Sequence, residues 1–530
     1  ATYVDAAVSS TYDAVGRLTQ ATDSVGGPIS NAYDPLDRLT SQTTTLGEVG
    51  YTYDALGRRT TMTVPGQTPI GYSYDAASRV TSITQGSSLV QVAYDAASRR
   101  TTLTLPNGVT TQYGYDPASR LTSLTYTRGA TPLGDLQYAY DPAGNRIQVG
   151  GSWARTGLPQ PVASATYNAN NQQLTVGGQT LTYDLNGNLT SDGTNTYTWT
   201  ARNQLATILG PVPASFGYDG AGRRMRKTLN GTSTDMLYDG INPIQEISGA
   251  AAAGLLNGLG VDEYFVRTDP SGASVLLTDA LGSTVALTDP LGAVQTQYTY
   301  EAFGQTSTTG AAGSNPFQYT GRENDGTGLY FYRARYYHPG LARFVSEDPI
   351  GFLGGVNWYA YVANNPILHS DPKGLVVGSA VARLSSAVLR AGLTAEEVYI
   401  NGRIIDSVLG ATAYAAGPLL PKEIADTPVL PGSRVTIGDA SNLLSAYGGA
   451  SSILLSLSIA GAYGVGAAST IAGGAIILPA GLAFVGGLEI GGAINAQFGD
   501  AMADFTFRLL YGGGDPPPLL LSGRKTARRR

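Results

Sequence analysis

Two Asp-Pro pairs are the residues of this chain best suited to carry chemistry. Asp348 and Asp371 each precede a proline and lie 23 residues apart. Two carboxylates held close together cannot both ionise cheaply, so one of them keeps a proton. The charged carboxylate can then activate water while the protonated one polarises a carbonyl group. Asp-Pro also begins turns without doing any chemistry. The same dipeptide begins at Asp116, Asp141, Asp269 and Asp289. Residue type alone leaves both interpretations open.

Other side chains that commonly carry catalysis are scarce. The 530 residues include no Cys and only two His, His338 and His369. This composition excludes disulfides and thiolate metal sites, and it leaves few parts for zinc or Ser-His chemistry. We therefore expect no metal ion and no cofactor, and we expect the two histidines to serve packing or polar contacts. The net charge of −6 argues against nucleic-acid binding by the chain as a whole.

The elements that must position these residues are set by an internal repeat. Tyr-Asp pairs begin, at intervals of 20 or 21 residues, at Tyr12, Tyr33, Tyr53, Tyr74, Tyr94 and Tyr115, and then less evenly at Tyr140, Tyr183, Tyr218 and Tyr238. An alternating run precedes each pair, a small or Gly-containing turn follows it, and an Arg-Leu-Thr-like run returns. Each unit is therefore predicted to be one β-hairpin, stabilised by stacking on its neighbours. Carbohydrate or ligand binding by the tyrosines is the functional alternative.

These units resemble the YD repeats of the Rhs and toxin-complex C families, in which Tyr-Asp-x-x-Gly-Arg-Leu recurs. Residues 12–18 match every position, whereas residues 33–39 carry Asp37 where glycine is usual. Further stretches resemble the Rhs core signature in order, at residues 279–284, 319–323, 328–337, 343–351, 354–361 and 371–375. The resemblance implies a mainly β fold, a spiralling YD-repeat sheet that closes into a hollow shell around a toxin. The repeat starts at the first residues, so we expect the natural N-terminus to lie upstream.

The same resemblance implies an intramolecular aspartyl protease that cuts after the Leu of Asp-Pro-x-Gly-Leu. Carried onto this chain, the cut falls between Leu375 and Val376, and Asp348 and Asp371 become the catalytic residues. Arg343 is a candidate charge partner. Related proteins sometimes have an arginine just before the first aspartate, where this chain has Glu347. We accordingly predict a YD-repeat shell over residues 1–250, a core segment with the autoproteolytic motif over 251–375, and a toxin domain over 376–530.

The predicted toxin domain has a different composition from the repeats. The Tyr-Asp period stops and helix-like patterning begins, so we predict a mainly α domain. Residues 440–488 contain no charged side chain, and about 20 apolar residues suffice for a helix to cross a bilayer. The Gly-rich segment 440–496 is thus predicted to be a hydrophobic helical hairpin. Its membrane-inserting residues would be Leu454, Ile459, Gly464, Ile476, Pro479, Phe484, Gly487 and Gly491. A basic tail follows at 523–530.

Three functions follow from these observations, from different classes. The first is a secreted effector, delivered into a target cell, whose toxin domain inserts in the membrane and forms pores. The second is an enzymatic toxin, a nuclease or an ADP-ribosyl transferase acting on NAD, with the apolar segment as a translocation aid or a buried core hairpin. The third is a YD-repeat surface adhesin. The expected partners are membrane lipid, a cognate immunity protein and upstream secretion or docking components, with no nucleic acid for the shell.

Overall fold

The computed structural model describes residues 3–375 except residue 155 and residues 158–163. The chain divides into two compact units, Ala1–Ser379 and Ala380–Arg530, and the described residues belong to the first. The predicted α domain, its apolar segment 440–496 with the eight residues named above, and the basic tail lie outside the described residues. In the part of the chain that is described, no helix has the length and apolarity needed to span a bilayer.

The first sheet is an antiparallel meander of 14 strands that follow one another in chain order. Its strands are β1 (Val8–Tyr12), β2 (Leu18–Asp23), β3 (Gly27–Tyr33), β4 (Leu39–Thr44), β5 (Gly47–Tyr53), β6 (Arg59–Thr63), β7 (Ile70–Tyr74), β8 (Val80–Gln85), β9 (Ser88–Tyr94), β10 (Arg100–Thr104), β11 (Val109–Tyr115), β12 (Leu121–Arg128), β13 (Thr131–Tyr140) and β14 (Arg146–Gly150). Each strand begins or ends at a turn of the Tyr-Asp repeat, so the predicted hairpins and the mainly β fold are confirmed.

The second sheet contains 15 strands and continues the same antiparallel order across residue 250. Its strands are β15 (Thr156–Gly157), β19 (Thr182–Tyr183), β20 (Leu189–Ser191), β21 (Thr196–Trp199), β22 (Leu205–Leu209), β23 (Ala214–Tyr218), β24 (Arg224–Leu229), β25 (Thr232–Asp239), β26 (Asn242–Ser248), β27 (Ala251–Asn257), β28 (Tyr264–Asp269), β29 (Gly272–Thr278), β30 (Thr284–Thr288), β31 (Val294–Glu301) and β32 (Thr306–Gly310). The short β15 joins this sheet by parallel pairing with β31.

Two small sheets and four 3₁₀ turns complete the described elements. One small sheet comprises β16 (Ala165–Tyr167), β17 (Gln173–Val176) and β18 (Gln179–Thr180). The other comprises β33 (Glu323–Asn324), β34 (Tyr330–Tyr332), β35 (Arg335–His338) and β36 (Arg343–Phe344). The 3₁₀ turns are Tyr319–Gly321, Pro339–Leu341, Gly351–Gly354 and Val362–Asn364. The β33–β36 sheet lies in the predicted core segment and carries Arg335, which the site described below is built around.

Polar side chains explain why the Tyr-Asp unit repeats. In the repeat around Asp54, this aspartate accepts backbone N–H bonds from Leu56 and Arg58, each at 2.9 Å, and so closes the turn. Arg58 pairs with Asp54 at 2.7 Å and lies over the ring of Tyr74 in the next repeat, 4.8 Å from its centre. The Tyr74 hydroxyl donates to the carbonyl of Arg59 at 2.7 Å. Each repeat is thereby bound to the next, which supports the architectural role of the tyrosines.

The turn position usually held by glycine needs a left-handed backbone. Gly57 has φ +79° there, and Asp37 and Ser78 adopt φ +63° and +61° at the equivalent positions. Asp and Asn tolerate this conformation better than most residues because their short side chains bond locally. Asp37 also accepts a bond from Arg17 of the preceding repeat at 2.8 Å. The substitution of Asp37 for glycine therefore keeps the turn and adds a link between repeats.

One hydrophobic core joins the two large sheets. Buried residues of the first sheet, such as Ile70 and Val90, belong to the same cluster as Phe265 and Leu277 of the second. Polar contacts accompany this packing between residues far apart in the chain. Arg59, for example, pairs with Asp239, 180 residues away, at 2.5 Å. Apolar burial of this extent is the main stabilising contribution to such a fold.

Candidate active site

Both candidate carboxylates begin a turn of the sequence Asp-Pro-x-Gly. The Gly351 N–H donates to the Asp348 carbonyl at 2.9 Å, and the Gly374 N–H donates to the Asp371 carbonyl at 3.2 Å. Proline favours the second position of such turns because its φ is already fixed near the required value. The turn-forming role of Asp-Pro is thus present at both positions. The first turn also holds its carboxylate in place, because Asp348 Oδ1 accepts the Ile350 N–H at 3.0 Å.

A single buried arginine brings the two carboxylates together. Arg335 Nη2 lies 2.8 Å from Asp348 Oδ2 and 3.6 Å from Asp371 Oδ2. All three side chains are buried: Arg335 and Asp371 are each 3% exposed and Asp348 is 6% exposed. Arg335 lies at the start of β35, and its guanidinium carbon is 3.6 Å from the ring centre of Phe344 in β36. The two aspartates that the sequence separates by 23 residues therefore form one site.

An aromatic cluster packs against Arg335. Tyr332, Tyr337, Phe344 and Tyr361 are buried together in ring-to-ring contact. Arg335 Nη1 also donates to the carbonyl of Trp358 at 2.8 Å. These contacts fix the guanidinium plane, so the arginine is a rigid bridge between the carboxylates.

The carbonyl of Leu375 lies close to the carboxylate of Asp348. A carbon placed as a side chain on Gly354 would be 2.3 Å from Asp348 Oδ2 and 3.2 Å from the Leu375 carbonyl oxygen. Both oxygens thus lie near the same point, and only glycine fits at residue 354. The Leu375 N–H donates to Asp371 Oδ1 at 3.0 Å. Leu375, the residue after which the sequence predicts a cut, therefore donates its N–H to Asp371 and has its carbonyl oxygen in the same small space as the Asp348 carboxylate.

Burial governs the ionisation of this site. Loss of solvent raises the pKa of Asp348 to about 6; the positive charge of Arg335 opposes this shift, and the nearby Asp371 adds to it. Burial also lowers the pKa of Arg335 to about 10, against the pull of both aspartates. Arg335 is therefore charged at neutral pH, while Asp348 gains a proton within the physiological range. A protonated Asp348 would place a proton donor in the space that its carboxylate shares with the Leu375 carbonyl oxygen, which is where a general acid is needed.

Sequence reasoning missed Arg335 and proposed a different charge partner. Arg343 instead donates to the Asn171 carbonyl at 2.6 Å and lies over the ring of Tyr359, away from the aspartates. Glu347 accepts a bond from the Tyr359 hydroxyl at 3.3 Å. The only signal for Arg335 was its place in the Rhs core signature, where it is one of two closely spaced arginines. Val376, on the far side of the predicted cut, lies outside the described residues.

The histidines occupy structural positions beside this region. His338 ends β35 and accepts the Leu341 N–H at 3.2 Å, and burial lowers its pKa. His369 lies in the segment before Asp371, where its N–H donates to the Asn365 carbonyl at 3.2 Å. In the described residues, no group of three or more potential metal ligands is close enough to hold an ion.

Comparisons with known proteins agree with this architecture. The Teneurin YD-shell family model matches residues 108–367, and the RHS Repeat model matches residues 33–69. The tRNA3(Ser)-specific nuclease WapA of Bacillus spizizenii is 31% identical over 317 residues, which cover 54% of this chain and 12% of WapA. Toxin protein Tse5 of Pseudomonas aeruginosa is 46% identical over 66 residues, which cover 12% of this chain and 5% of Tse5. The chain thus spans about an eighth of WapA and less of Tse5.

Solved structures show the same fold. The crystal structure of TcdB2-TccC3-Cdc42 superposes with a TM-score of 0.55 at 20% identity, covering 70% of this chain and 25% of that one. The two family models together cover more than half of the sequence, and the ordered core motifs from 279–284 to 354–361 lie inside the larger match, while 371–375 follows it. From its hairpin repeat, its core motifs and these matches, the chain belongs to the Rhs/YD-repeat family.

Proposed function

We propose that this chain cuts its own backbone between Leu375 and Val376 and so releases residues 376–530, as a toxin, from a YD-repeat shell. The observation that carries the proposal is the arrangement of Asp348 and Asp371 around Arg335, with the Leu375 carbonyl beside Asp348. The substrate peptide and the catalytic groups are parts of one chain. The reaction is therefore intramolecular, with its partners already in place.

The geometry supports different roles for the two aspartates. Asp348 is the acid, because its Oδ2 lies near the Leu375 carbonyl oxygen and burial raises its pKa to about 6. Asp371 is the base that takes a proton from the attacking water. Water adds to the Leu375 carbonyl carbon as Asp348 protonates the oxygen. As the C–N bond to Val376 breaks, Asp371 gives the proton it took from water to the amine nitrogen, and a hydroxyl of the tetrahedral intermediate returns a proton to Asp348. The products are a Leu375 carboxyl group and a new N-terminus at Val376.

Denaturing mass spectrometry of the purified full chain tests the cleavage. Wild type should yield a fragment that begins at Val376, and Asp348→Asn should remain intact because an amide cannot supply the proton. Asp289→Asn is the matched control, because Asp289 also begins an Asp-Pro turn and accepts backbone bonds from Leu291 and Ala293. This control should be cut like wild type. An uncut wild-type chain, or a cut Asp348→Asn chain, would refute the proposal.

We further propose that the two large sheets are part of a hollow shell that shields the toxin from the producing cell. The likeness to TcdB2-TccC3 structures and the toxin names of relatives support a secreted effector that is delivered into target cells. A cognate immunity protein and upstream delivery components are the corresponding partners. Limited proteolysis of the cut chain checks the shielding. The fragment 376–530 should be degraded only after the shell is denatured, and early degradation would contradict the idea.

For the toxin itself we propose membrane insertion and pore formation. The absence of charged residues from 440–488 is the observation that favours it. Expression of residues 376–530 in bacteria should collapse the membrane potential, and toxicity without depolarisation would contradict it. The alternative is an enzymatic toxin, favoured by the similarity to WapA, which is named as a tRNA nuclease. Degraded RNA or DNA, or consumed NAD, in cells with an intact potential would support that alternative. If expression of residues 376–530 is not toxic, the surface adhesin is favoured instead.

A further inference from the structure

Three consecutive carbonyl groups before the proposed cut are held by three consecutive residues of one hairpin. The hairpin joins β34 to β35 through the turn 333–334, and the three residues are this turn and Arg335, the first residue of β35. In chain order, the bonds run from Arg333 Nη1 to the Pro372 carbonyl, from the Ala334 N–H to the Lys373 carbonyl (3.2 Å) and from Arg335 Nε to the Gly374 carbonyl (2.5 Å). The turn therefore binds the backbone of residues 372–374 in register, and the next residue is Leu375.

Arg333 uses its whole guanidinium group in this arrangement. Its acceptors are the carbonyls of Ile241 (3.1 Å) and Pro372, the Asn242 side chain (3.1 Å) and both carboxylate oxygens of Asp262 (2.7 and 3.1 Å). A guanidinium has five N–H donors, so each donor of Arg333 has an acceptor. The backbone of Arg333 has φ +62°, which a non-glycine residue keeps only where its surroundings hold it.

A second buried arginine reinforces the same contact. Arg322 is 1% exposed, lies 2.8 Å from Asp262 Oδ1 and donates to the Pro372 carbonyl at 3.3 Å. Asp262 thus pairs with the guanidinium groups of Arg322 and Arg333, and both groups donate to the Pro372 carbonyl. Bonds from charged donors are stronger than neutral ones, so Pro372 is the most firmly held residue of the segment.

The turn binds the backbone carbonyls of residues 372–374 and not the side chains of these residues. The Lys373 side chain is exposed. Gly374 has φ +69°, and a side-chain carbon there would lie 2.4 Å from the carbonyl of Tyr332. The segment therefore accepts varied residues at position 373 and requires glycine at 374.

We propose that Arg333 is a positioning residue for the cleavage reaction. By fixing the Pro372 carbonyl, it sets the register of residues 372–374 and so places the Leu375 carbonyl beside Asp348. The five donors of Arg333 bind Ile241, Pro372, Asn242 and Asp262, so its effect on Leu375 is transmitted through the segment that it holds. This inference rests on the proposed self-cleavage.

The test compares cleavage rates of full chains made in a short cell-free pulse and followed by gel electrophoresis. Arg333→Gly removes the guanidinium while glycine accepts the left-handed backbone. We expect its rate to fall roughly 100-fold, as expected for a displaced reacting group. Millimolar guanidinium chloride should restore much of the loss, whereas it should not restore Asp348→Asn. Arg343→Met is the control, because Arg343 is buried nearby but donates to Asn171; we expect a change of less than about twofold.

Two further measurements separate positioning from a general loss of structure. The rate of Arg333→Gly should fall equally at each pH, because the groups that face Asp348, namely Arg335 and Asp371, are unchanged. In the uncut Asp348→Asn background, Arg333→Gly should also increase hydrogen exchange at residues 373–375, while the amides of the first sheet stay protected. If the variant is less stable, rescue by guanidinium decides between the two explanations.

The outcomes are distinct for the two proposals. Wild-type cleavage rates in Arg333→Gly, or a slow variant that guanidinium cannot rescue, would overturn the positioning role and leave the self-cleavage proposal intact. A wild-type chain that never cuts would overturn both. A slowed and rescuable variant with an unshifted pH profile supports the positioning role.

Discussion

The repeat turns and the candidate active site use the same two residue types to different effect. In the repeat, Asp75 begins a turn and pairs with Arg79 at 2.6 Å, and each repeat aspartate of the first sheet up to Asp116 has its own arginine. At the site, Asp348 and Asp371 also begin turns, but they share Arg335 and are buried. One arginine for two carboxylates is the main difference between the regions.

That difference changes the ionisation of the carboxyl groups. Side-chain and backbone bonds from Arg79 lower the pKa of Asp75, so this residue stays ionised and structural. Burial raises the pKa of Asp348 to about 6, because Arg335 only partly offsets the loss of solvent. The same Asp-headed turn is thus an architectural element in one region and holds a carboxyl group with a raised pKa in the other, as the proposed proton donor requires.

The largest effect is expected from removing the shared arginine. Arg335→Met should slow cleavage at least about 1000-fold, because it frees both carboxylates from their common position. It should also lower the free energy of unfolding by about 3–5 kcal/mol, since it leaves buried carboxylates without their counter-charge. Urea denaturation and gel assays of cleavage measure the two effects. Arg79→Met in the repeat should leave the cleavage rate unchanged. Equal loss of cleavage in Arg335→Met and Arg79→Met would contradict the proposed difference between the site and the repeats.

The next largest effect is expected at glycine. Gly374→Ala should slow cleavage about 100-fold, because its side-chain carbon would clash with the Tyr332 carbonyl and displace the segment. Gly57→Ala is the matched control, with φ +79° and no atom within 4 Å of the added carbon. It should lower the free energy of unfolding by about 1 kcal/mol without slowing cleavage. Normal cleavage by Gly374→Ala would show that this close contact does not position Leu375.

A change of pH should act on the site and not on the repeats. Asp348 is protonated below about pH 6, so cleavage should slow as the pH rises through that value, by about tenfold per unit well above it. Refolding the denatured chain into buffers of different pH and sampling the cut fraction gives the profile. Asp75→Asn should not move the midpoint, because the pKa of Asp75 lies below its usual value. A rate that instead rises through pH 6 would reverse the assignment of Asp348 as the acid.

The smallest effect is expected at Lys373. Its side chain is exposed and the turn binds its carbonyl, so Lys373→Ala should change the cleavage rate by less than about twofold. The same pulse assay measures it. A large loss would mean that the site reads the side chain as well as the backbone.

The sequence was sufficient to predict the hairpin repeat, because its signals are local. Tyrosine, aspartate and arginine at fixed spacing specify a strand, a turn and a bond to the next repeat. Even Asp37, which departs from the motif, takes the left-handed turn that the motif requires. The Asp-Pro-x-Gly turns at Asp348 and Asp371 follow from the same local chemistry.

Long-range contacts could not be predicted in the same way. The sequence gives no spacing rule that would pair Arg59 with Asp239 across the two sheets. Likewise, Arg335 lies in β35 and Asp348 begins a turn after β36, and the sequence favoured Arg343 because it lies nearer to Asp348 along the chain. Packing decided which arginine is the partner, because Arg335 packs on Phe344 and the aromatic cluster, whereas Arg343 lies over the ring of Tyr359. The sequence shows residue types, but not which of them the fold brings together.

The most direct test of the account is the fate of water oxygen during cleavage. The denatured full chain would be refolded at high dilution in water enriched in ¹⁸O, and its peptides would be analysed by mass spectrometry. The account predicts a shell peptide that ends at Leu375 with one ¹⁸O in its new carboxyl group, a partner fragment that begins at Val376 without the label, and a rate independent of protein concentration. Neither fragment should form in Asp348→Asn. A cut at another bond, an unlabelled Leu375 terminus or a rate that rises with concentration would contradict the central claim.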